Sequence, residues 1–347
     1  MSTITVQADR LEEVCCAILQ HAGLAVDDAR YVALSLVEAD LKGVHSHGVL
    51  RLPRYVEELA QGITNPRPKI QVAAEGPSYA RVDGGHALGQ LVGRFAMDLC
   101  LRKAAETGTA TVTAGRSHHF GAAGQFAVRA LEHDMIGIAM TVASPRLAPS
   151  GGRTPLFGNN PIAYAVPTDL DFPLLFDAAM GALAAGKLEL AAANGTPIPA
   201  GLARDAQGQP TTDAALALKG MIEPIGDYKG YGLTLLIELL AGLLAGSPYF
   251  GVDRSDVAEH LAEVGIGHCF ISIDTKRFMP LDAFKQAVGN MARRIKQSPR
   301  QEGVDEIFLP GEIEERRRRH GLEHGIELAI SSAEVLRELG KPCNASL

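Results

Sequence analysis

The sequence has 347 residues, of which 46% are hydrophobic and 21% charged, and its formal net charge is −7. That balance describes a folded chain of about two intertwined domains and excludes disorder. It also excludes a broad basic field of the kind that binds nucleic acid non-specifically.

Cys15, Cys16, Cys100, Cys269 and Cys343 are scattered and form no Cys-x-x-Cys, so neither a disulfide framework nor a zinc ribbon is expected. The N-terminus has no basic flank and apolar run of a signal peptide, and the expected setting is the cytoplasm. Apolar spacing of 3.6 residues predicts helices over 9–20, 27–42 with Asp27 as N-cap, and a short one over 52–59. Pro66 and Pro68 then break the pattern. Strands are expected over 70–74 and 79–82, a long helix over 88–105, and a strand over 109–113. A helix over 122–132, a buried strand over 135–143 and strands over 162–166 and 174–176 follow. The Pro/Gly-rich stretch 145–161 is too long for a plain turn and is a candidate cofactor or substrate loop.

Further helices are expected over 183–193, 231–245 and 281–295, and a strand over 269–273. The apolar run 232–246 is shorter than the roughly 20 residues a span needs and carries Glu238, so it reads as a buried helix and no membrane partner is expected. Glu314-Glu315-Arg316-Arg317-Arg318-Arg319 reads as a solvated helix face.

Two clusters carry candidate chemistry. His45-Ser46-His47-Gly48 with Arg51 follows a helix end, and Ser117-His118-His119-Phe120-Gly121 follows a strand. A histidine at a strand end can pass a proton to a substrate oxygen near neutral pH, although spacing alone favours a capping or structural role. His47 and Arg51 are four apart, so a helical turn would put both on one face, with the guanidinium suited to a carboxylate. The histidine spacing matches no zinc pattern, so no metal is expected. Lys229 stands at the start of an apolar helix, where an anion is favoured. No G-x-G-x-x-G fingerprint is present.

Five ordered motifs together resemble the malate/L-lactate dehydrogenase family of the second type, which includes sulfolactate and ureidoglycolate dehydrogenases and reductases of cyclic imino acids. They are Lys42-Gly43-Val44-His45-Ser46-His47-Gly48 with Arg51 and Tyr55, and Ser117-His118-His119-Phe120-Gly121-Ala122-Ala123-Gly124. The others are Leu156-Phe157-Gly158-Asn159-Asn160-Pro161-Ile162-Ala163, Gly208-Gln209-Pro210-Thr211-Thr212-Asp213, and Lys229-Gly230-Tyr231-Gly232-Leu233. The resemblance covers nearly the whole chain.

It implies a mixed α/β fold with a non-Rossmann nicotinamide-binding domain over 71–310 and a helical substrate and dimerisation domain from 1–70 and 311–347. It further implies a homodimer, His119 and His47 as catalytic groups with His119 the general acid/base, and Ser46, His47 and Arg51 facing a small carboxylate substrate. NAD or NADP would be held by Asp177, Ala178, Ala179, Lys229 and Ala143. Met180-Gly181 stands where family members commonly carry hydroxyl residues. The expected reaction interconverts a 2-hydroxy acid and its 2-oxo acid; the alternatives are reduction of a cyclic 2-imino acid, or a relative that binds without catalysis.

Overall fold

The computed structural model describes residues 3–253 and 255–347. Strand β1 (Thr3–Val6) precedes helices α1 (Ala8–His21) and α2 (Val26–Leu41). Two 3-10 turns, His45–His47 and Val49–Arg51, lead into α3 (Leu52–Ala60). Then come β2 (Gln71–Gly76), β3 (Tyr79–Ala87), α4 (Gly89–Thr107), β4 (Thr109–Ser117), the single turn α5 (Gly124–Ala127), β5 (Met135–Thr141), β6 (Ile162–Val166) and β7 (Leu174–Ala178). A small lobe holds α6 (Ala185–Ala193), β8 (Ala203–Arg204), α7 (Ala214–Lys219) and β9 (Met221–Ile222). The chain returns through α8 (Tyr228–Ile237), α9 (Val257–Glu263), β10 (Ile266–Asp274) and α10 (Leu281–Lys296). It ends with α11 (Glu312–His324), β11 (Ile326–Ala329) and α12 (Ile330–Gly340).

The architecture is mixed α/β around a seven-stranded sheet of order β2-β3-β4-β10-β5-β6-β7, in which β3 and β4 pair in parallel and the remaining neighbours antiparallel. The central strand β10 is buried on both faces. Phe270 joins a core with Leu91, Val112 and Phe126, while its neighbour Cys269 joins Met140, Phe157 and Ile237 on the other side, as strand alternation requires. The first core continues without a break into the packed faces of α1 and α2 through Leu11, Leu36 and Val37. β1 pairs with β11, which ties the two ends of the chain together.

Several predicted elements differ in detail. Asp27 is not the N-cap of α2; Ala25 holds that position, and Asp27 and Asp28 lie in the first turn, where carboxylates complement the helix dipole. The helix expected over 122–132 is one α turn followed by a 3-10 segment, Val128–His133. The helix expected over 231–245 starts earlier, runs into a π-helical turn, Glu238–Leu243, and is buried on one side only, with Leu233, Leu236, Leu239 and Leu243 exposed. That turn packs against β10 so closely that a Cβ on Gly267 would lie 1.9 Å from the carbonyl oxygen of Ala241. Arg316, Arg317 and Arg319 are exposed on α11, as a solvated face requires, with Arg316 paired to Glu306 and Arg319 to Glu315.

The sheet directions fix where chemistry can collect. β10 runs antiparallel to β4 and β5, and β6 runs antiparallel to β5 and β7, so the chain leaves β4, β5 and β7 at the same edge. That edge carries His118 and His119, then Ala143, then Ala178 and Ala179. Since the contact at Gly267 is backbone against backbone, Gly267→Ala is expected to destabilise the fold by about 2 kcal/mol. Urea unfolding checks this, and an unchanged midpoint contradicts the close approach.

Candidate active site

Asp40, buried at the end of α2, shapes the first cluster. Its Oδ2 accepts from the Val49 amide at 2.7 Å and its Oδ1 lies 2.8 Å from His45 Nδ1. A Cβ on Gly48 would sit 2.2 Å from this carboxylate, so the turn admits only glycine there. Gly48 is extended and separates the two 3-10 turns, so His47 and Arg51 do not share one helix face as their spacing suggests. They are drawn together instead by a fold-back, in which Arg51 Nε donates to the Ser46 carbonyl at 2.6 Å. Ser46 Oγ lies 2.9 Å from His47 Nδ1.

The second cluster meets the first face to face. The rings of His47 and His119 stack with centroids 5.6 Å apart and planes 19° from parallel. His119 Nδ1 lies 2.7 Å from Tyr55 Oη, which accepts from Gln90 Nε2 at 2.9 Å. His118 is fully buried beside His86, at 5.6 Å between ring centroids, and His45 is exposed and engaged by Asp40. Of the four histidines in the two motifs, His47 and His119 thus form the shared site. Among the described residues, no group of three or more metal-ligating side chains converges.

A buried layer supports this pair. His268 Nδ1 is 2.7 Å from Thr141 Oγ1, its Nε2 is 2.8 Å from Ser117 Oγ, and its ring stacks on Phe120 at 4.6 Å and 7°. Thr141 donates its hydroxyl hydrogen to the Gly267 carbonyl at 3.0 Å, so Nδ1 of His268 donates and Nε2 accepts from Ser117. The segment bearing His119 is thereby fastened to three strands.

Burial sets the protonation states. Desolvation, with the charge of Arg51 adding to it, lowers His47 to about 4. Desolvation lowers His119 well below the ordinary histidine value, and His47, Arg51, Arg54 and His268 reinforce it. The same cause brings His118 to about 4 and His268 to about 3. A neutral imidazole with one free ring nitrogen, beside a guanidinium, can exchange a proton with a small anion's oxygen.

The remaining predicted residues line the adjoining edge. The Ala143 amide donates to Asn160 Oδ1 at 3.0 Å, and Asn160 Nδ2 donates to buried Glu238 at 3.0 Å. Glu238 also accepts from the Tyr249 and Phe250 amides, both at 2.8 Å. Backbone bonds from Met180 to Asn159 and from Ile225 to Met180 bring the end of β7 against the start of α8. Ala178 closes β7, Ala179 is half-buried, and Lys229 is exposed in the first turn of α8 with no ion pair among the described residues. Asp177 Oδ2 accepts from the Gly124 amide at 2.7 Å, and protein crowded around the carboxyl pushes its pKa up to about 6, although the residue keeps open surface. Met180 is buried among Met140, Val142 and Phe157, so it serves the core. Gly186, at the start of α6, lies close to Ser46: a Cβ there would be 3.2 Å from the serine Cβ.

Sequence reasoning missed Gln90, Thr141, Asn160 and His268 as parts of the site. For Gln90, Thr141 and His268 the available signal was a lone polar residue in an apolar helix or strand, which requires a partner when buried; Asn160 lies in the loop before β6.

Stacked neutral imidazoles beside a guanidinium form a candidate site for a small anion. Comparison with known proteins names the family. The family model described as malate/L-lactate dehydrogenase matches residues 6–337, and the chain belongs to that family. It is therefore an oxidoreductase of the hydroxy-acid dehydrogenase type. It is 40% identical to a malate dehydrogenase of Pyrococcus horikoshii, over 97% of this chain and 95% of that one, and 40% identical to an L-sulfolactate dehydrogenase of Methanocaldococcus jannaschii, over 93% and 94%. The solved structures of a malate dehydrogenase and a sulfolactate dehydrogenase from these organisms superpose with TM-scores of 0.90 and 0.91 at 37% and 36% identity, covering 99% of this chain and 97% and 98% of theirs. Relatives named for their coenzyme divide: a ureidoglycolate dehydrogenase (NAD(+)) of Escherichia coli K12 is 33% identical over 89% of this chain and 88% of its own. A (2R)-3-sulfolactate dehydrogenase (NADP(+)) of Chromohalobacter salexigens is 35% identical over 93% and 94%.

His268 gives a pH prediction. Its proton is bound less tightly in the folded chain than in the unfolded one, where histidine titrates near 6.5. As pH falls from about 6.5 towards about 3, the unfolded state gains a proton the folded state lacks, so stability is lost towards acid by up to roughly 1.4 kcal/mol per pH unit. His268→Gln keeps a donor and an acceptor but cannot titrate. It is expected to flatten the slope of unfolding free energy against pH in that window; an identical slope contradicts the assignment.

Proposed function

We propose that the chain interconverts a small 2-hydroxy acid and its 2-oxo acid with NAD or NADP, His119 carrying the proton and Arg51 holding the substrate carboxylate. The observation that carries this reading is the stack of His47 on His119 beside Arg51. Arg51 Nε is spent on the Ser46 carbonyl, which fixes the plane of the guanidinium and leaves its terminal nitrogens for an anion. Ser46 and His47 line the substrate side. His47, held neutral, adds no competing positive charge and shapes the space around the reacting carbon. His119 offers its Nε2 to the substrate oxygen.

The residues present fit a nicotinamide dinucleotide. Lys229 in the first turn of the ten-residue α8 presents positive charge where the helix dipole also favours a pyrophosphate. Ala143, Ala178 and Ala179 offer backbone groups and small side chains at the shared sheet edge, with Asp177 beside them. When bound, the coenzyme supplies or takes up the hydride at the substrate carbon.

In this reading 1–70 and 311–347 form the substrate and dimerisation unit, and 71–310 the coenzyme unit. Leu233, Leu236, Leu239 and Leu243 are exposed along α8 and its π turn, with Leu244 and Phe250 exposed just beyond, an apolar surface that a second copy would cover in a homodimer. Among the described residues no helix is long and apolar enough to cross a membrane, and the five unbridged cysteines suit a reducing, cytoplasmic setting.

His119→Ala is expected to lower kcat by at least about 100-fold, the scale of general acid–base catalysis, while coenzyme binding followed by fluorescence stays as in the parent. A substrate panel of pyruvate, oxaloacetate, sulfopyruvate and cyclic 2-imino acids with each coenzyme accompanies it. Turnover of oxo acids is the expected result. Turnover confined to cyclic imines, none at all, or full activity in His119→Ala would overturn the proposal.

A further inference from the structure

We propose that Gln90 is a positioning residue that, through Tyr55, keeps the hydrogen of the neutral His119 ring on Nε2. The catalytic consequence rests on the reading of His119 as proton carrier; the hydrogen placement does not.

Gln90 is the second residue of α4 and is fully buried, as is Tyr55. Its amide nitrogen lies 2.9 Å from Tyr55 Oη, and Tyr55 Oη lies 2.7 Å from His119 Nδ1. The Gln90 Oε1 has no hydrogen-bond partner among the described residues, so the bond to Tyr55 is the one use this side chain's polar group has. An amide nitrogen can only donate, and a phenol has a single hydrogen. Tyr55 therefore accepts from Gln90 and turns its hydrogen towards Nδ1 of His119. Burial raises the Tyr55 pKa above the ordinary tyrosine range, so that hydrogen is retained. Nδ1 is left as an acceptor, and the neutral ring carries its hydrogen on Nε2, the nitrogen outside the relay.

Two consequences follow for the chemistry. A ring with hydrogen on Nε2 is complementary to the carbonyl oxygen of a 2-oxo acid, which needs a donor. As Nε2 gives its proton to that oxygen, the Tyr55 hydrogen passes to Nδ1, so the ring stays neutral, and the phenolate, held by the Gln90 amide, is reprotonated from solvent after turnover. Adding a second proton at Nδ1 would set two donors, the ring N–H and the Gln90 amide, against one phenol oxygen and leave the Tyr55 hydrogen without an acceptor. Gln90 therefore opposes the imidazolium form beyond what burial does. The other titratable or charged groups facing His119 are His47 and Arg51 from the 3-10 turns, Arg54 from α3, and His268 from β10; among the described residues, Gln90 and His119 are the groups hydrogen-bonded to Tyr55 Oη.

Nitrogen-15 NMR of the imidazole rings tests the idea directly. In the parent protein at neutral pH, His119 is expected as the Nε2–H tautomer; the Nδ1–H tautomer would overturn the proposal without any variant being made. Gln90→Met, similar in size and unable to donate, is expected to raise the pH at which His119 titrates by about one unit, the size of one hydrogen bond's net contribution. The acid limb of kcat/KM should move with it, which a packing defect alone would not cause. In a Tyr55→Phe background the same Gln90→Met change is expected to produce no shift, because the relay is already cut. An unmoved His119 titration in Gln90→Met, or an equal shift in both backgrounds, overturns the proposal. Should His119→Ala keep its turnover, the functional reading falls while the NMR result still decides the role of Gln90.

Discussion

The 2.7 Å hydrogen bond between Tyr55 and His119 joins residues 64 positions apart, and the site depends on it. One partner sits on a short helix of the N-terminal segment, the other just past the end of β4. That bond links the two histidine clusters of the sequence. Beside it the rings of His47 and His119 stack, and Arg51 is brought close by its fold-back onto Ser46. The sheet contributes the other half: its strand directions bring Ala143 and Ala178 to the edge where His119 emerges.

Desolvation governs how these groups behave. His47, His118, His119 and His268 all lose basicity for the same leading reason, the cost of placing a charged ring where water is excluded. A cluster of imidazoles that would repel one another as cations instead packs as neutral rings. Three of the four are hydrogen-bonded, His47 to Ser46, His119 to Tyr55, and His268 to Thr141 and Ser117, while His118 is packed beside the ring of His86. The positive charge of Arg51 then has no nearby cation competing for an anionic ligand within the stack.

Long periodic segments were legible in the sequence. The helices now seen as α1, α2, α4 and α10 follow apolar spacing, and β4 and β5 follow β-branched or continuous apolar runs. The two motifs that build the site were also visible, because histidine, serine and arginine close together are rare in a plain turn. What stayed hidden lacked a local signal. The β1–β11 pair joins four-residue strands from opposite ends of the chain, and no short window contains both. The π turn after α8 depends on Glu238 accepting amides from Tyr249 and Phe250, contacts that helical periodicity does not encode. The four-residue spacing of His47 and Arg51 pointed to a shared helix face, whereas Gly48 breaks the helix and a side-chain-to-backbone bond restores their proximity. Gln90 and His268 belong to no motif, and only the fold shows what they hold in place.

The account stands or falls on where a substrate's two ends lie. A crystal structure with coenzyme and oxamate, an unreactive analogue of a small 2-oxo acid, measures this directly. The carboxylate is expected on the terminal nitrogens of Arg51 with the adjacent carbonyl oxygen within hydrogen-bond distance of His119 Nε2. Oxamate bound with its carboxylate away from Arg51, or its carbonyl oxygen out of reach of His119, would contradict the assignment of the site.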